Sequence, residues 1–587
     1  MNFIKRVLST VTGIFVFLFI CFGLLLVFGL IFGSSSDDVV TVKSNSILDL
    51  KLDFPIDDYA GKIEFEKFEF LNESNKNGLF NLIDAINYAA TDDKIKGITI
   101  ENNFIQAGIS QTKALRDALI KFKASGKFIT AYADIYSQKD YYLSSVADTI
   151  FINPAGMMEF KGLYSEQLYY KDFQEKSGLK MEVVRFGKYK SAVEPFLENE
   201  MSDANREQVE SFLNSIWSEI KFEIGKSRHI SEARLNTIAD SLLARTPNLA
   251  KSAQLVDKIA YYDEYVNGLK KAVNISESED LNIISIKDYA EHAATNLLAD
   301  YSKNKIAVIY AEGEIIYGEG DKGLVGQGVI NTSLKKARDD KNIKAIVLRI
   351  NSPGGSALAS ELIWREIELT KKVKPVIVSM GNLAASGGYY IACNADKIIA
   401  EPTTITGSIG VFGMLPNASG MAKDLGINAE QVVTNKNAVT YSFFEPLNDT
   451  QREFIKEGII DIYDMFTSRV AQGRNMKQDA VKDIAQGRVW TGAEAVKIGL
   501  VDELGGLDLA LEHAAKAANI TEYNIKELPV FKKDLEKILN SLGIAKAKED
   551  VLKEELGEAN YLIFKEIKSL SQKKGVQLLF PYSTDIK

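Results

Sequence analysis

Residues of this 587-residue chain recur at one constant spacing. Lys96-Gly97-Ile98 returns as Lys344-Ala345-Ile346, Tyr141-Tyr142 as Tyr389-Tyr390, and Ala147-Asp148 as Ala395-Asp396. Pro154 returns as Pro402, Gly178 as Gly426 and Glu182 as Glu430, every pair 248 residues apart. Chance does not hold one offset over so long a stretch, so the chain is a fused duplication. The halves fall at 50–295 and 296–525. A linker at 34–49 precedes them and a Lys/Glu-rich tail, read as helical, follows at 526–587.

Each half must then fold around a pattern that both can sustain. The runs 306–310, 345–350, 376–380 and 397–400 are short and rich in β-branched residues, as buried strands are. Between them, 358–372 carries apolar residues at helical spacing after the turn Gly354-Gly355. Strand, glycine turn, helix, strand predicts an α/β layered domain. A long helix is expected at 201–226, opened by Ser202 and Asp203, with its counterpart at 448–473, opened by Asn448 and Asp449.

Ahead of the duplication, 11–33 is a nearly continuous apolar run of 23 residues. As a helix it spans about 34 Å, enough for a bilayer core of about 30 Å. Lys5 and Arg6 precede it and Asp37 and Asp38 follow. The positive-inside rule puts 1–10 in the cytoplasm and the bulk of the chain outside. A cleaved signal peptide has a shorter apolar region and a small-residue cleavage site. This run ends in Gly33-Ser34-Ser35-Ser36, so a retained transmembrane helix at 11–33 is expected.

The charge balance, 70 basic against 79 acidic residues, is no footprint for nucleic acid. Cys21 and Cys393 make neither a disulfide framework nor a zinc site. Histidine is limited to His229, His292 and His513, all read as surface residues, so a hydrolase here cannot lean on a histidine base.

Chemistry concentrates in the second half. Asn351-Ser352-Pro353-Gly354-Gly355-Ser356 follows one predicted strand, and its glycines let backbone N–H groups turn toward a ligand with no Cβ in the way. The next strand ends in Gly381-Asn382-Leu383-Ala384-Ala385-Ser386-Gly387-Gly388-Tyr389-Tyr390. A serine among small residues at a strand-to-helix junction exposes its Oγ beside free N–H groups that favour a developing anion. The competing role for Ser386 is a helix N-cap.

Together these motifs resemble the signal peptide peptidase A family of Ser–Lys peptidases, in its long fused two-repeat form, within the ClpP/crotonase superfamily. The resemblance extends to Gly187-Lys188-Tyr189-Lys190-Ser191-Ala192-Val193-Glu194-Pro195-Phe196, Thr406-Gly407-Ser408-Ile409-Gly410 and Arg488-Val489-Trp490-Thr491-Gly492. It implies a tandem pair of ClpP/crotonase-like α/β domains and a membrane-anchored serine endopeptidase that degrades cleaved signal peptides and other hydrophobic peptides. Carried over by motif, Ser386 is the nucleophile and Lys190 the general base. Backbone N–H groups of Gly355 and Gly387 are the expected oxyanion hole. Ser408 is read as orienting the base or lining the substrate, and Ser352 and Ser356 as structural or substrate-lining.

The repeat offset bears on the same assignment. Subtracting 248 from Ser386 gives Gln138, and from Gly354 and Gly355 gives Gln106 and Ala107; adding it to Lys190 gives Ala438. One half then lacks the serine and the other this lysine, as expected of a dyad formed between halves. Lys188 remains an alternative base, since an extended segment puts both lysines on one face.

The resemblance implies no cofactor and no metal. It implies peptide partners, membrane lipid around the anchor, and a homo-oligomeric ring, a tetramer among the forms that fit. The location expected is the bacterial inner membrane, crossed once, with the catalytic portion on the periplasmic side. A groove lined by 409–414 is expected to hold extended peptides. Two other functions fit parts of the pattern: a crotonase-like acyl-CoA enzyme, and a non-catalytic membrane scaffold.

Overall fold

Parallel pairing of the β-branched runs builds one sheet per half in the computed structural model of the protein. The structure describes residues 41–65, 73–74, 78–297, 302–533 and 576–579, with six single positions between 13 and 23. The apolar run 11–33 therefore lies almost wholly outside the described residues. No described helix is long and apolar enough to cross a membrane.

In the first half the strands Lys258–Ile259, Thr149–Met158, Phe128–Tyr136, Ile95–Ile100, Ser46–Leu50 and Asn282–Ser285 lie side by side in that order. The second half repeats the plan around Val376–Ala385, Ile343–Ser352, Lys305–Glu312 and Asn524–Leu528. Helices such as Ile109–Lys123 and Ala357–Lys371 pack against these sheets. Their buried faces, such as Ile363, Trp364 and Ile367, lie in the same core as Leu348 and Val378. This is the expected α/β architecture.

The repeated residues turn out to be architectural. Asp148 and Asp396 each accept the backbone N–H of a neighbouring strand, Ile129 and Val376 respectively, at 2.8 Å. Tyr141 and Tyr389 are buried and donate to the carbonyls of Leu255 and Leu500. Such bonds satisfy polar groups inside a dry core, where an unpaired one costs about 1–3 kcal/mol.

Several boundaries differ from expectation. Strand Ser46–Leu50 sits inside the first sheet, so the span read as linker already belongs to the fold. The tail is not simply helical: Asn524–Leu528 pairs in parallel with Lys305–Glu312, and Val530–Lys533 and Val576–Leu579 are also strands. Ile525 packs in the half's core, so the strand crosses the boundary at 525.

The repeat register also slips. Gly178 and Gly426 end short helices in the left-handed conformation, 248 apart. The long helices Asp203–Arg228 and Asp449–Arg474 have 26 residues each, but their caps Ser202 and Asn448 are 246 apart. Two residues are missing from the second half between these markers, and the Lys190 segment lies in that interval. At the shorter offset Lys190-Ser191-Ala192-Val193 meets Lys436-Asn437-Ala438-Val439. The second half thus retains a lysine, exposed Lys436, and the reading that it lost one is corrected. The loss of the serine at Gln138 stands.

The halves exchange strands at their junction. Lys180–Phe186 of the first half pairs antiparallel with Val411–Asn417 of the second. Lys62–Phe65 pairs in parallel with Val530–Lys533. Arg349, buried in the second half, is held by Asp58 of the first at 3.0 Å.

Candidate active site

Strand Val376–Ala385 runs straight into the helix Gly387–Ala392, and Ser386 is the joint between them. Its backbone is at φ 55°, ψ −114°, a conformation that a non-glycine residue holds only when its surroundings impose it. They do: the Ser386 N–H donates to the Gly407 carbonyl at 2.8 Å and its carbonyl accepts from Tyr390. The side chain makes no helix-cap bond, so the N-cap role considered for it is not the one it plays.

The partner arrives from the other half. Strand Lys180–Phe186, laid on Val411–Asn417, delivers the loop that carries Lys190. Lys190 is fully buried, and its Nζ donates to Ser386 Oγ at 2.9 Å, Ser408 Oγ at 3.0 Å and the Ser408 carbonyl at 3.1 Å. Around it stand the Phe412 ring and the small cluster of Val193, Phe412 and Met414. Burial, with no carboxylate beside it, holds the Lys190 ammonium well below the ordinary lysine range. Both residues belong to one chain.

Ser408 adopts φ 50° and is pinned by its N–H to the Arg488 carbonyl at 2.7 Å. Lys188, by contrast, is exposed and lies over the Tyr189 ring. The two lysines therefore do not share a face, because Lys188 and Tyr189 form a turn, closed by the Lys190 N–H on the Gly187 carbonyl, and not the extended segment expected.

Gly354 and Gly355 have φ 99° and 154°, angles only glycine takes readily. A β-carbon on Gly387 would stand 3.1 Å from the Gly355 nitrogen, so the two backbones lie against each other beside Ser386. Ser352 accepts the Gly354 N–H and Ser356 caps the helix Ala357–Lys371, so both serve the turn itself. In the first half Gln138 occupies the serine's place and its amide bonds Lys161 and Gly162.

Val411, Phe412 and Met414 are buried, so 409–414 forms the backing of the site, and its backbone edge at Phe412 and Gly413 is already paired. Strand Val576–Leu579 lies antiparallel between that edge and Gly354–Ser356. The gap beside the glycine turn is thus filled by an extended segment of the chain itself.

Sequence reasoning missed residues that hold this geometry. Tyr189 N–H donates to the Gln486 carbonyl, Gly487 packs under Lys190, and Gln208 bonds both neighbours of the lysine. The Gly487 position adjoins the Arg488 motif already noted; Gln208 carries no local signal. His229, His292 and His513 take no part in these contacts. Among the described residues no group of three or more His, Cys, Asp or Glu is placed to hold a metal.

The family model for peptidase family S49 matches residues 121–276 and 368–521, once in each half. Protease 4 of Haemophilus influenzae is 37% identical over 517 residues, covering 85% of this chain and 84% of the relative.

The chain belongs to peptidase family S49.

A putative signal peptide peptidase SppA of Enterococcus faecium is 36% identical over 239 residues, 39% of this chain and 69% of that protein. Among solved structures, ClpP1 from Listeria monocytogenes is 17% identical with a TM-score of 0.22, covering 34% of this chain and 91% of its own. As an S49 member the chain is a serine peptidase built of two family domains in tandem. The acyl-CoA and scaffold alternatives are set aside on that ground.

Proposed function

We propose that this serine peptidase cleaves extended hydrophobic peptides, signal peptides released into the membrane foremost, with Ser386 as nucleophile and Lys190 as general base. The contact of Lys190 Nζ with Ser386 Oγ at 2.9 Å, inside a dry pocket, carries the reading. A serine hydroxyl needs an adjacent base, and a neutral buried amine supplies one. Lys190 takes the Ser386 proton as Oγ bonds to the scissile carbonyl carbon. It returns that proton to the departing amine when the C–N bond breaks. Water, deprotonated in turn by Lys190, then bonds to the acyl carbon; the C–Oγ bond breaks and Ser386 Oγ takes the proton back from Lys190, releasing the acid. The N–H groups of Gly355 and Gly387 receive the developing oxyanion, worth about 3–4 kcal/mol per donor in comparable sites. The substrate enters as an added strand beside Gly354–Ser356, taking the place that Val576–Leu579 fills, the mode of many peptide-binding edges.

The uncharged run 11–33, behind Lys5 and Arg6, anchors the chain in a bacterial inner membrane with both repeats in the periplasm. Protease added to intact spheroplasts should then remove residues beyond 40; full protection would refute the orientation.

The chain further assembles head to tail with copies of itself. Lys180–Phe186 finds its partner strand within the chain, but its counterpart 428–434, just after Gly426, is exposed, with Val432 at 98%. The counterpart of Val411–Asn417 in the first half, 163–169, likewise presents Tyr164 and Leu168 to solvent. Each copy thus exposes the counterparts of both strands, and their head-to-tail pairing gives a ring where its rotation closes.

The deciding experiment pairs peptide turnover with fluorophosphonate labelling. Ser386→Ala should lose both. Lys190→Ala should lose turnover by several orders of magnitude, and the double variant should be hardly slower than either single one. Labelling elsewhere with turnover intact in Ser386→Ala would overturn the assignment.

A further inference from the structure

Lys190 sits on a short loop that must hold its position across the boundary between halves. Its own backbone contributes little to this, for the Lys190 N–H reaches the Gly187 carbonyl only at 3.4 Å. The residues on either side are held by one side chain. Gln208, fully buried near the start of the helix Asp203–Arg228, donates from Nε2 to the Tyr189 carbonyl at 3.0 Å and to Ser191 Oγ at 2.9 Å. Its Oε1 accepts the N–H of Val489, in the second half, at 3.2 Å.

Val489 is not an arbitrary anchor. Its strand Val489–Thr491 pairs antiparallel with Ile405–Gly407, setting Val489 opposite Gly407. The Gly407 carbonyl accepts from Ser386, and the next residue is Ser408, which accepts from Lys190. One amide therefore links the backbone beside the base to the strand pair that fixes the nucleophile. We propose that Gln208 is a positioning residue for the dyad, setting the reach of Lys190 Nζ toward Ser386 Oγ by clamping Tyr189 and Ser191 to Val489.

The chemistry demands an amide. Two acceptors on the first half and one donor on the second call for a side chain that both donates and accepts, and glutamine is long enough to do so from the helix. The surroundings hold it in place. Asn205 Oδ1 accepts a third bond from Gln208 Nε2 at 3.2 Å, while Asn205 Nδ2 donates to Glu194. The charged groups nearby are engaged elsewhere: Glu194 accepts the Ser202 N–H, Glu207 pairs with Arg488, and Arg185 lies against the Lys190 carbonyl. At the 246 offset the second half has Phe454 in place of Gln208, exposed like its Lys436, which is not seated in a pocket. The amide is thus a feature of the half that supplies the base.

The proposal rests on the Ser386–Lys190 reading, so Lys190→Ala is run alongside it. Full-length protein carrying Gln208→Met, which keeps the length and loses every bond, is assayed with a fluorogenic hydrophobic peptide across pH. Misplacement of the amine by about 1 Å predicts a fall in kcat of about 100-fold with KM nearly unchanged. The alkaline rise in kcat should also move to higher pH as water reaches the loosened amine. Gln208→Glu, which accepts from Val489 but donates to nothing, should shift both in the same direction. Wild-type kcat and pH profile in Gln208→Met would overturn the proposal. So would a lower kcat accompanied by a lowered melting temperature and an unmoved profile, which marks a purely structural role. If Gln208→Met fails to fold, Ser191→Ala removes one of the two clamping bonds alone; an unchanged kcat and profile there would overturn the proposal as well. Activity retained in Lys190→Ala would instead sink the dyad itself.

Discussion

Gly487 of the second half lies so close beneath Lys190 of the first that a β-carbon on it would stand 2.6 Å from the lysine Cβ. The same atom would be 2.7 Å from the Lys190 Cα and backbone nitrogen, and Gly487 also holds φ 82°. Two requirements, left-handed backbone and bare surface, coincide at the point where the base is docked.

Gly487→Ala should therefore act on catalysis through a residue that never meets substrate. The methyl pushes at backbone, which cannot swing aside as a flexible side chain would. Turnover should fall by about 100-fold through displacement of Lys190. Circular dichroism should show the fold intact, with some loss of stability from the strained φ. Wild-type turnover in Gly487→Ala would show that the lysine loop tolerates movement.

The pH profile follows from the burial of Lys190. Only the neutral amine accepts a proton, so kcat/KM must climb as pH rises through the apparent pKa of the base. Burial disfavours the ammonium, which places that rise well below the ordinary lysine range. Replacing His229, His292 and His513 by alanine should leave the profile where it is. A rise set by an imidazole, and abolished by one of these replacements, would contradict a lysine base.

The α/β class, the duplication and the two central residues were legible because each leaves a local mark. Ser386 stands among glycines and alanines, and Gly354-Gly355 follows a β-branched run. The strand Asn524–Leu528 was missed because, with only Ile525 and Leu528 apolar, its sequence is too polar to read as buried. It earns its place by pairing along Lys305–Ile309. The register slip escaped because two missing residues in a loop leave no composition signal; only the helix caps Ser202 and Asn448 expose it. Gln208 was invisible for another reason. Its role depends on Val489, 281 residues away, and no periodicity encodes that distance.

A buried carboxyl at the junction of the halves ties stability to pH. Glu401 is almost fully buried, and burial pushes its carboxyl up to about 7 although Lys113 lies 3.8 Å away and opposes the shift. A pKa raised on folding contributes stability that is fully present at acid pH, below the unfolded value, and lost as pH rises through the folded one. A change of this size corresponds to about 3 kcal/mol at most. Glu401→Gln should therefore be more stable than wild type at about pH 8.5 and gain nothing at about pH 5, by urea denaturation. Equal stability differences at both pH values would show that Glu401 does not titrate in this range.

The last expectation concerns assembly. In the folded chain, Val184 of the strand Lys180–Phe186 faces Gly413 across the antiparallel ladder. The 248 offset, anchored at Gly178 and Gly426, carries that pair to Val432 and Ser165. Val432 is 98% exposed, an unusual state for a β-branched side chain in an arm that also exposes Ile427 and Val433. If a second copy covers this arm with its 163–169 edge, Val432→Asp should break the contact by burying an unpaired charge. Sedimentation of the detergent-solubilised protein should then move from an assembly toward a single chain. Fluorophosphonate labelling of Ser386 should persist, because Lys190 and Ser386 meet within one copy. Cysteines at 432 and 165 should cross-link chains in the wild-type background, and an inert Val432→Asp with no cross-link would place the interface elsewhere.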